Sequence, residues 1–218
     1  MKMKNSLYKI NKLQIEKDSF RLNINKFEIH RGAIYLVSGK INSGKSVFLK
    51  ALNNSIEYVG KIDFEGADLQ DSNHKAYRGE VIYVSMAPRS WKKAEDYINS
   101  FINKYQTIQK SSKSIKSLIG KLGISKFLDV RLYKLSESER RLIGLVASIA
   151  ADPKVLIIDD MDEALTHVEL KILKSILQRK ANYDGVTIIG SCRYIYNFSK
   201  FASVNITLDS GRIVRVRS

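Results

Sequence analysis

The chain has 218 residues, 44% of them apolar, and a net charge of +15 from 37 Lys and Arg against 22 Asp and Glu. That is enough for one domain with a sizeable core, or a core with a small lobe inserted, and its apolar content excludes a disordered chain. A single cysteine, Cys192, excludes an intrachain disulfide and suits a reducing compartment.

In chain order, the start from Met1 to Ile10 is basic with no apolar stretch behind it, so no secretory leader is expected. Leu22–Ile29 alternates apolar and polar residues and predicts a half-buried strand. His30-Arg31-Gly32 reads as a turn, and Ile34–Val37 as a short buried strand. A glycine-containing loop follows, then a helix over Ser46–Leu52 with Val47, Phe48, Ala51 and Leu52 at helical spacing. Val81–Val84 is a second buried strand, ending at Ser85-Met86-Ala87-Pro88. Trp91–Phe127 is mostly helical in pattern and rich in Lys and Ser. Ser136 and Glu139 have capping-box spacing ahead of the stripe Leu142, Leu145, Val146 and Ile149.

Val155–Ile158 is a third buried strand, closed by Asp159-Asp160. Val168–Lys180 predicts an amphipathic helix, and Val186–Ile189 a fourth strand. Ser203–Leu208 and Arg212–Val216 predict a closing hairpin around Ser210-Gly211. Buried strands alternating with helices predict an α/β domain with a largely parallel sheet, an antiparallel β portion and an inserted helical lobe. The expected organisation is one domain over 1–218, with its core at about 1–85 and 152–218 and the lobe at about 86–151. The longest weakly polar run, Leu142–Ala151, is about half of the ~20 residues a membrane span needs. The cytoplasm is therefore the expected location.

The charge is uneven. Between Arg89 and Arg141 there are 13 Lys and Arg against 5 Asp and Glu. Such a surface fits a solvated lobe, anionic lipid headgroups or nucleic acid.

Gly39-Lys40-Ile41-Asn42-Ser43-Gly44-Lys45-Ser46 matches G-x-x-x-x-G-K-[ST] between a strand and a helix. Glycines at those positions let backbone N–H groups converge on phosphates, the lysine reaches the β- and γ-phosphates, and the serine hydroxyl ligates Mg²⁺. The candidate nucleotide-binding residues are Gly39, Lys40, Asn42, Ser43, Gly44, Lys45, Ser46 and Val47. Asp159, at the end of an apolar strand, is the candidate second Mg²⁺ residue beside Ser46. Asp160 stands where a carboxylate would face an attacking water. Lys45 and Asp160 are the catalytic candidates.

The order of these pieces resembles the ATP-binding cassette (ABC) ATPase family over nearly the whole chain. Tyr83–Pro88 resembles its Q-loop, Leu135-Ser136-Glu137-Ser138-Glu139 its Leu-Ser-Gly-Gly-Gln signature, Asp152–Asp160 its Walker B segment, Glu163–Thr166 its D-loop and Val186–Cys192 the strand before its switch histidine. The resemblance implies ATP and Mg²⁺ as ligands. It also implies a dimer, homo- or heteromeric, in which one chain's phosphate loop and Ser136 of the other chain's signature enclose each ATP. A separate membrane-spanning subunit, anionic lipid at the basic lobe and a peripheral position on the cytoplasmic face follow from it as well.

Four positions depart from the family pattern. Met86 replaces Gln, Glu137 a signature glycine, Asp160 the usual Glu, and Cys192 the switch His, with Arg193 next to it as a substitute donor. Slow or partner-dependent hydrolysis is the expectation. Tyr8 and Phe20 are both candidates for the aromatic that stacks on adenine, and both are equally candidates for the core. The alternative functions are a soluble ABC-type ATPase acting on nucleic acid or ribosomes, and the binding-only half of a heterodimer. A phosphate-loop kinase or GTPase is disfavoured by the signature-like helix before the second aspartate and by the absence of an Asn/Thr-Lys-x-Asp guanine motif.

Overall fold

The computed structural model describes residues 6–17, 20–71, 77, 79–105 and 112–218. Two sheets organise them. A four-stranded antiparallel sheet has the order β2-β1-β4-β5, built from β1 (Ser6–Lys17), β2 (Phe20–His30), β4 (Val59–Phe64) and β5 (Ala67–Asp68). A six-stranded sheet has the order β10-β9-β3-β8-β7-β6. Its members are β3 (Ile34–Ser38), β6 (Val81–Val84), β7 (Val155–Ile158), β8 (Thr187–Ser191), β9 (Val204–Asp209) and β10 (Arg212–Arg217). All its pairings are parallel except β9 with β10.

Among the described residues, the α-helices used below are α1 (Lys45–Leu52), α2 (Ala94–Lys104), α3 (Ser112–Lys121), α4 (Glu137–Ala150) and α5 (His167–Asp184). The helical pattern over Trp91–Phe127 thus resolves into α2, α3 and a short 3-10 turn, with residues 106–111 outside the described set. None of the described helices is long and apolar enough to cross a membrane.

Period-two alternation splits the core into two layers. On β3, Ile34 and Leu36 pack with α4 and α5, whereas Tyr35 and Val37 face α1 and the antiparallel sheet. On β7, Leu156 and Ile158 take the first side and Val155 and Ile157 the second. A strand buried on both faces reads as a continuous apolar run, and for that reason these short runs were legible. At eight residues α1 is too short to hold itself. Phe48, Leu49 and Leu52 are fully buried, and at about 1.5–3 kcal/mol each their burial outweighs the cost of nucleation.

β1 escapes simple alternation for a physical reason. Asn11 and Lys12 are both exposed, Lys12 has φ 50, and the register with β4 shifts between Asn11 and Gln14. This is a bulge that resets the period. Opposite it, Gly60 has φ 99, and a Cβ there would lie 2.1 Å from the Lys12 carbonyl oxygen.

Two helix starts are built alike. Ser136 at α4 and Thr166 at α5 each accept from the N3 backbone, and Glu139 and Glu169 each reach back to the cap residue's N–H.

Candidate functional site

The parallel register decides which loops meet. β3 pairs β8 with Val37 opposite Ser191, and β8 pairs β7 with Ile158 opposite Gly190. β7 pairs β6 with Val84 opposite Ile158. The loops leaving the carboxyl ends of β3, β7, β8 and β6 therefore lie side by side, the place where open α/β sheets take ligands.

The loop after β3 holds Gly39–Ser46. Gly39 has φ 149, and a Cβ there would sit 2.2 Å from the Leu208 carbonyl oxygen, so no side chain fits. Gly44 has φ 102 and lies under the Phe20 ring, whose Cζ would be 2.7 Å from an added Cβ. Asn42 is also left-handed, at φ 62. Lys45 Nζ donates to the carbonyls of Gly39 at 2.9 Å and Lys40 at 3.0 Å, and it forms no ion pair with a described residue. Its ammonium is thus held over the loop by neutral acceptors that a phosphate can displace. The Ser43 Oγ is buried with no hydrogen-bond partner among the described residues, an orphan that a ligand oxygen would satisfy. A cavity of about 450 Å³ opens here, lined by Lys17, Phe20 and Asn42 to Val47. Ile41 at the tip of the loop is 90% exposed.

Asp159 and Asp160 follow β7. The Asp159 carboxylate is buried, accepting from Ser191 Oγ at 2.5 Å and from the Tyr83 hydroxyl at 3.0 Å. Burial, with the Asp159 charge behind it, pushes the Tyr83 hydroxyl well up, so it remains a proton donor. The Asp160 N–H donates to Ser191 Oγ at 2.7 Å, and its carboxylate faces Arg193 Nε at 3.4 Å. With φ 46, Asp160 occupies the left-handed region that an Asp tolerates better than most residues.

Cys192 does not face this group. It is 1% exposed and sits in the core layer with α4 and α5. Burial, then the Asp162 charge, pushes its thiol up to about 12. The switch position therefore carries no donor toward the loop, and the next residue, Arg193, turns outward to meet Asp160 and Glu163. Asp162 fixes that turn by accepting from the N–H groups of Arg193 at 2.9 Å and Tyr194 at 3.0 Å.

Ser136 lies at the start of α4 and is not among the residues lining the cavity. Its N–H and its hydroxyl both donate to the Glu139 carboxylate at 2.8 Å. Glu139 thus already supplies the anion that a helix N-terminus attracts. Met86 is 77% exposed, and its thioether is a poor ligand for a hard cation.

Of the two aromatic candidates, Tyr8 is core. It is fully buried, and its hydroxyl pairs with that of Tyr77 at 2.8 Å. Phe20 lines the cavity. Two contributors had no signal in the local pattern. Gly211 donates its N–H to the Ser43 carbonyl at 3.1 Å and accepts from Asn23 N–H at 2.7 Å, so the last hairpin braces the loop. Arg141, 1% exposed on α4, donates to the carbonyl oxygen of Asp159.

Ser46 and Asp159 are hard oxygen donors of the kind Mg²⁺ takes, and the described residues include no cluster of three or more metal-binding side chains. That sparse set fits an ion that keeps most of its waters and adds phosphate oxygens.

A family model described as ABC transporter matches residues 22–163. The phosphonates import ATP-binding protein PhnC 2 of Oceanobacillus iheyensis is 24% identical, over 88% of this chain and 81% of that protein. The ribose import ATP-binding protein RbsA of a Ruegeria species is 25% identical over 86% of this chain, which spans only 38% of it. Among solved structures, the dimeric ATP-binding cassette MJ0796 bound to ADP and Pi superposes with a TM-score of 0.79 at 14% identity, covering 97% of this chain and 98% of that one. CbiO1 from Clostridium perfringens, part of the ABC transporter complex cbiONQ, superposes with a TM-score of 0.78 at 18% identity, covering 97% and 88%.

Proposed function

This chain belongs to the ABC transporter family, and on that premise we propose that it is an ATP-binding subunit of an ABC-type transporter complex, holding Mg-ATP on the Gly39–Ser46 loop. The observation that carries the proposal is the Lys45 ammonium resting on two backbone carbonyls, with a buried aspartate at the end of β7, which β8 alone separates from β3 in the sheet.

Backbone amides from Gly39 to Val47, Lys40 included, would surround the phosphates, and Lys45 would exchange its carbonyl partners for phosphate oxygens. Ser46 and Asp159 would hold Mg²⁺, which when bound neutralises phosphate charge as the γ-phosphoryl group departs. Asp160 would orient the attacking water and accept its proton. Phe20 would stack on the base.

Turnover by this chain alone is slow in this account. Met86 offers no hard ligand, and Cys192 faces the core. Glu137 adds a carboxylate to the first turn of α4, where a second cassette's γ-phosphate would approach. At ~5 Å and an effective dielectric of 20 the repulsion is ~3 kcal/mol, less with solvent access. A heterodimer in which another chain supplies the competent signature relieves that conflict, whereas a homodimer repeats it in both sites.

The basic lobe supports a membrane partner on the cytoplasmic side, with anionic lipid nearby. Trp91 and Tyr133 pack there with ring centroids 4.7 Å apart and planes tilted by 50°, and Trp91 is 76% exposed. An exposed aromatic pair among cations suits an amphipathic docking helix of a membrane subunit. Net charge alone favours nucleic acid, and salt-sensitive binding to generic RNA would support that second reading.

The test is Mg-ATP binding and phosphate release by the purified chain beside Lys45→Ala. Retained binding with little release, both lost in the variant, is the expected result. Binding that is indifferent to Lys45→Ala overturns the proposal.

A further inference from the structure

We infer that Arg193 is a latch on Asp160: its guanidinium covers the catalytic carboxylate until the terminal phosphate of a nucleoside triphosphate draws it away. The premise is the ATP-hydrolysing role proposed above, and the latch specifies how that site is regulated.

Four observations converge. First, Arg193 Nε lies 3.4 Å from Asp160 Oδ2, and Nη2 pairs with Glu163 Oε1. Second, the backbone beneath it is fixed, because Asp162 accepts from the N–H groups of both Arg193 and Tyr194. The side chain can swing while its anchor stays. Third, the preceding residue is turned into the core, so Arg193 is the first side chain after β8 that carries a charge to the surface. Fourth, β8 lies directly beside β3 with Ser191 opposite Val37, and the Cys192 N–H donates to the Val37 carbonyl at 3.4 Å. The phosphate loop and the Arg193 loop thus leave adjacent strands at the same level of the sheet.

The energetics favour exchange. The Arg193 side chain is 51% exposed and that of Asp160 26%, and an ion pair this open and this long is weak. A triphosphate terminus carries more charge than one carboxylate and accepts bidentate bonds from a planar guanidinium. Arg193 has five N–H donors, so it can keep Glu163 as a pivot while the Asp160 contact breaks and a phosphate contact forms. Asp160 is then free to bond water. Diphosphate lacks the terminal group and leaves the latch closed, so the carboxylate is exposed only when there is a γ-phosphate to attack.

The experiment is isothermal titration calorimetry with Mg²⁺ and either ADP or a non-hydrolysable ATP analogue. The proteins are wild type, Arg193→Ala, Arg193→Lys, Asp160→Asn and the double variant Arg193→Ala/Asp160→Asn, with melting curves checking the fold. Loss of one charge-assisted contact predicts that Arg193→Ala weakens the ATP analogue by about tenfold, and ADP by less than about twofold. Arg193→Lys recovers part of the loss. Asp160→Asn opens the latch and tightens the ATP analogue about threefold, and that gain vanishes when Arg193 is absent. Equal effects on both nucleotides, or a gain from Asp160→Asn that persists without Arg193, overturn the latch while leaving the nucleotide site standing. Wild type that binds neither nucleotide overturns the premise and the latch together.

Discussion

Arg141 on α4 donates from Nη2 to the carbonyl oxygen of Asp159 at 2.7 Å, and to that of Asp160 at 3.3 Å. The helix that opens at Ser136 is thereby tied to the loop that carries both carboxylates. The tie runs through the protein interior, where Arg141 is 1% exposed and burial pulls its guanidinium below the ordinary arginine range. Its Nε and Nη1 have no hydrogen-bond partner among the described residues.

Arg141→Ala is expected to destabilise the chain by about 3 kcal/mol, because it opens a cavity and removes the side-chain donor to the Asp159 carbonyl, whereas the Asp160 carbonyl keeps the Glu163 N–H at 2.9 Å. Arg141→Met fills the space and removes a poorly satisfied charge, so its cost should be under about 1.5 kcal/mol. Urea unfolding separates the two. Equal losses would mean that the hydrogen bonds outweigh the packing.

Gly211→Ala should lower both stability and ATP affinity. The position has φ 74, and an added Cβ would lie 1.9 Å from the Arg21 carbonyl oxygen, so the turn that braces Ser43 must shift. A loss of about 2 kcal/mol is expected in unfolding experiments. Gly66→Ala is the control. It has φ 88 but open space around it, so it should cost about 1 kcal/mol and leave affinity unchanged.

Phe20→Ala should weaken ATP and ADP alike by about tenfold, since both carry the base that the ring would stack on. Tyr8→Phe should leave both affinities unchanged and cost about 1 kcal/mol of stability, the hydroxyl bond to Tyr77 being lost. Fluorescence titration reads the first effect and thermal unfolding the second. The reverse pattern would reassign the stacking residue.

Stability should fall above about pH 9. The Cys192 thiol is held up to about 12 in the fold by burial, then by Asp162, whereas a free thiol titrates near 8.5. Between those values the unfolded chain loses a proton that the folded chain keeps, so the stabilisation is complete below the unfolded pKa and is lost as pH rises. One such proton gives a slope of about 1.4 kcal/mol per pH unit. Tyr58, raised to about 12 by burial and by Asp68, adds to the fall above about pH 10. Cys192→Ala should flatten the fall between about pH 9 and 10 in pH-dependent urea unfolding, and Cys192 should resist alkylation until the chain unfolds.

Much of this molecule is local and was therefore readable. The phosphate loop needs only two glycines, a lysine and a serine at fixed offsets, and all four fall within eight residues. The buried strands of the parallel sheet show as apolar runs because both their faces are covered, and the capping box of Ser136 and Glu139 closes within one turn. β1 was hidden because its bulge breaks the alternation that marks a strand, and the two candidate aromatics could not be ranked because one lies on each side of that irregularity.

By itself the sequence determined the conformational menu: where the chain must turn, which runs must be buried on both faces, and where phosphate-binding backbone is possible. Tertiary structure decided which side chain of a consecutive pair meets the site. Cys192 and Arg193 differ by one residue, and one residue is half the period of a strand, so β8 leaving its register beside β3 sends the thiol inward and the guanidinium to Asp160. The braces from Gly211 and Arg141 were likewise decided only on folding, since each joins groups brought together by sheet order and helix packing, at separations that no local pattern encodes.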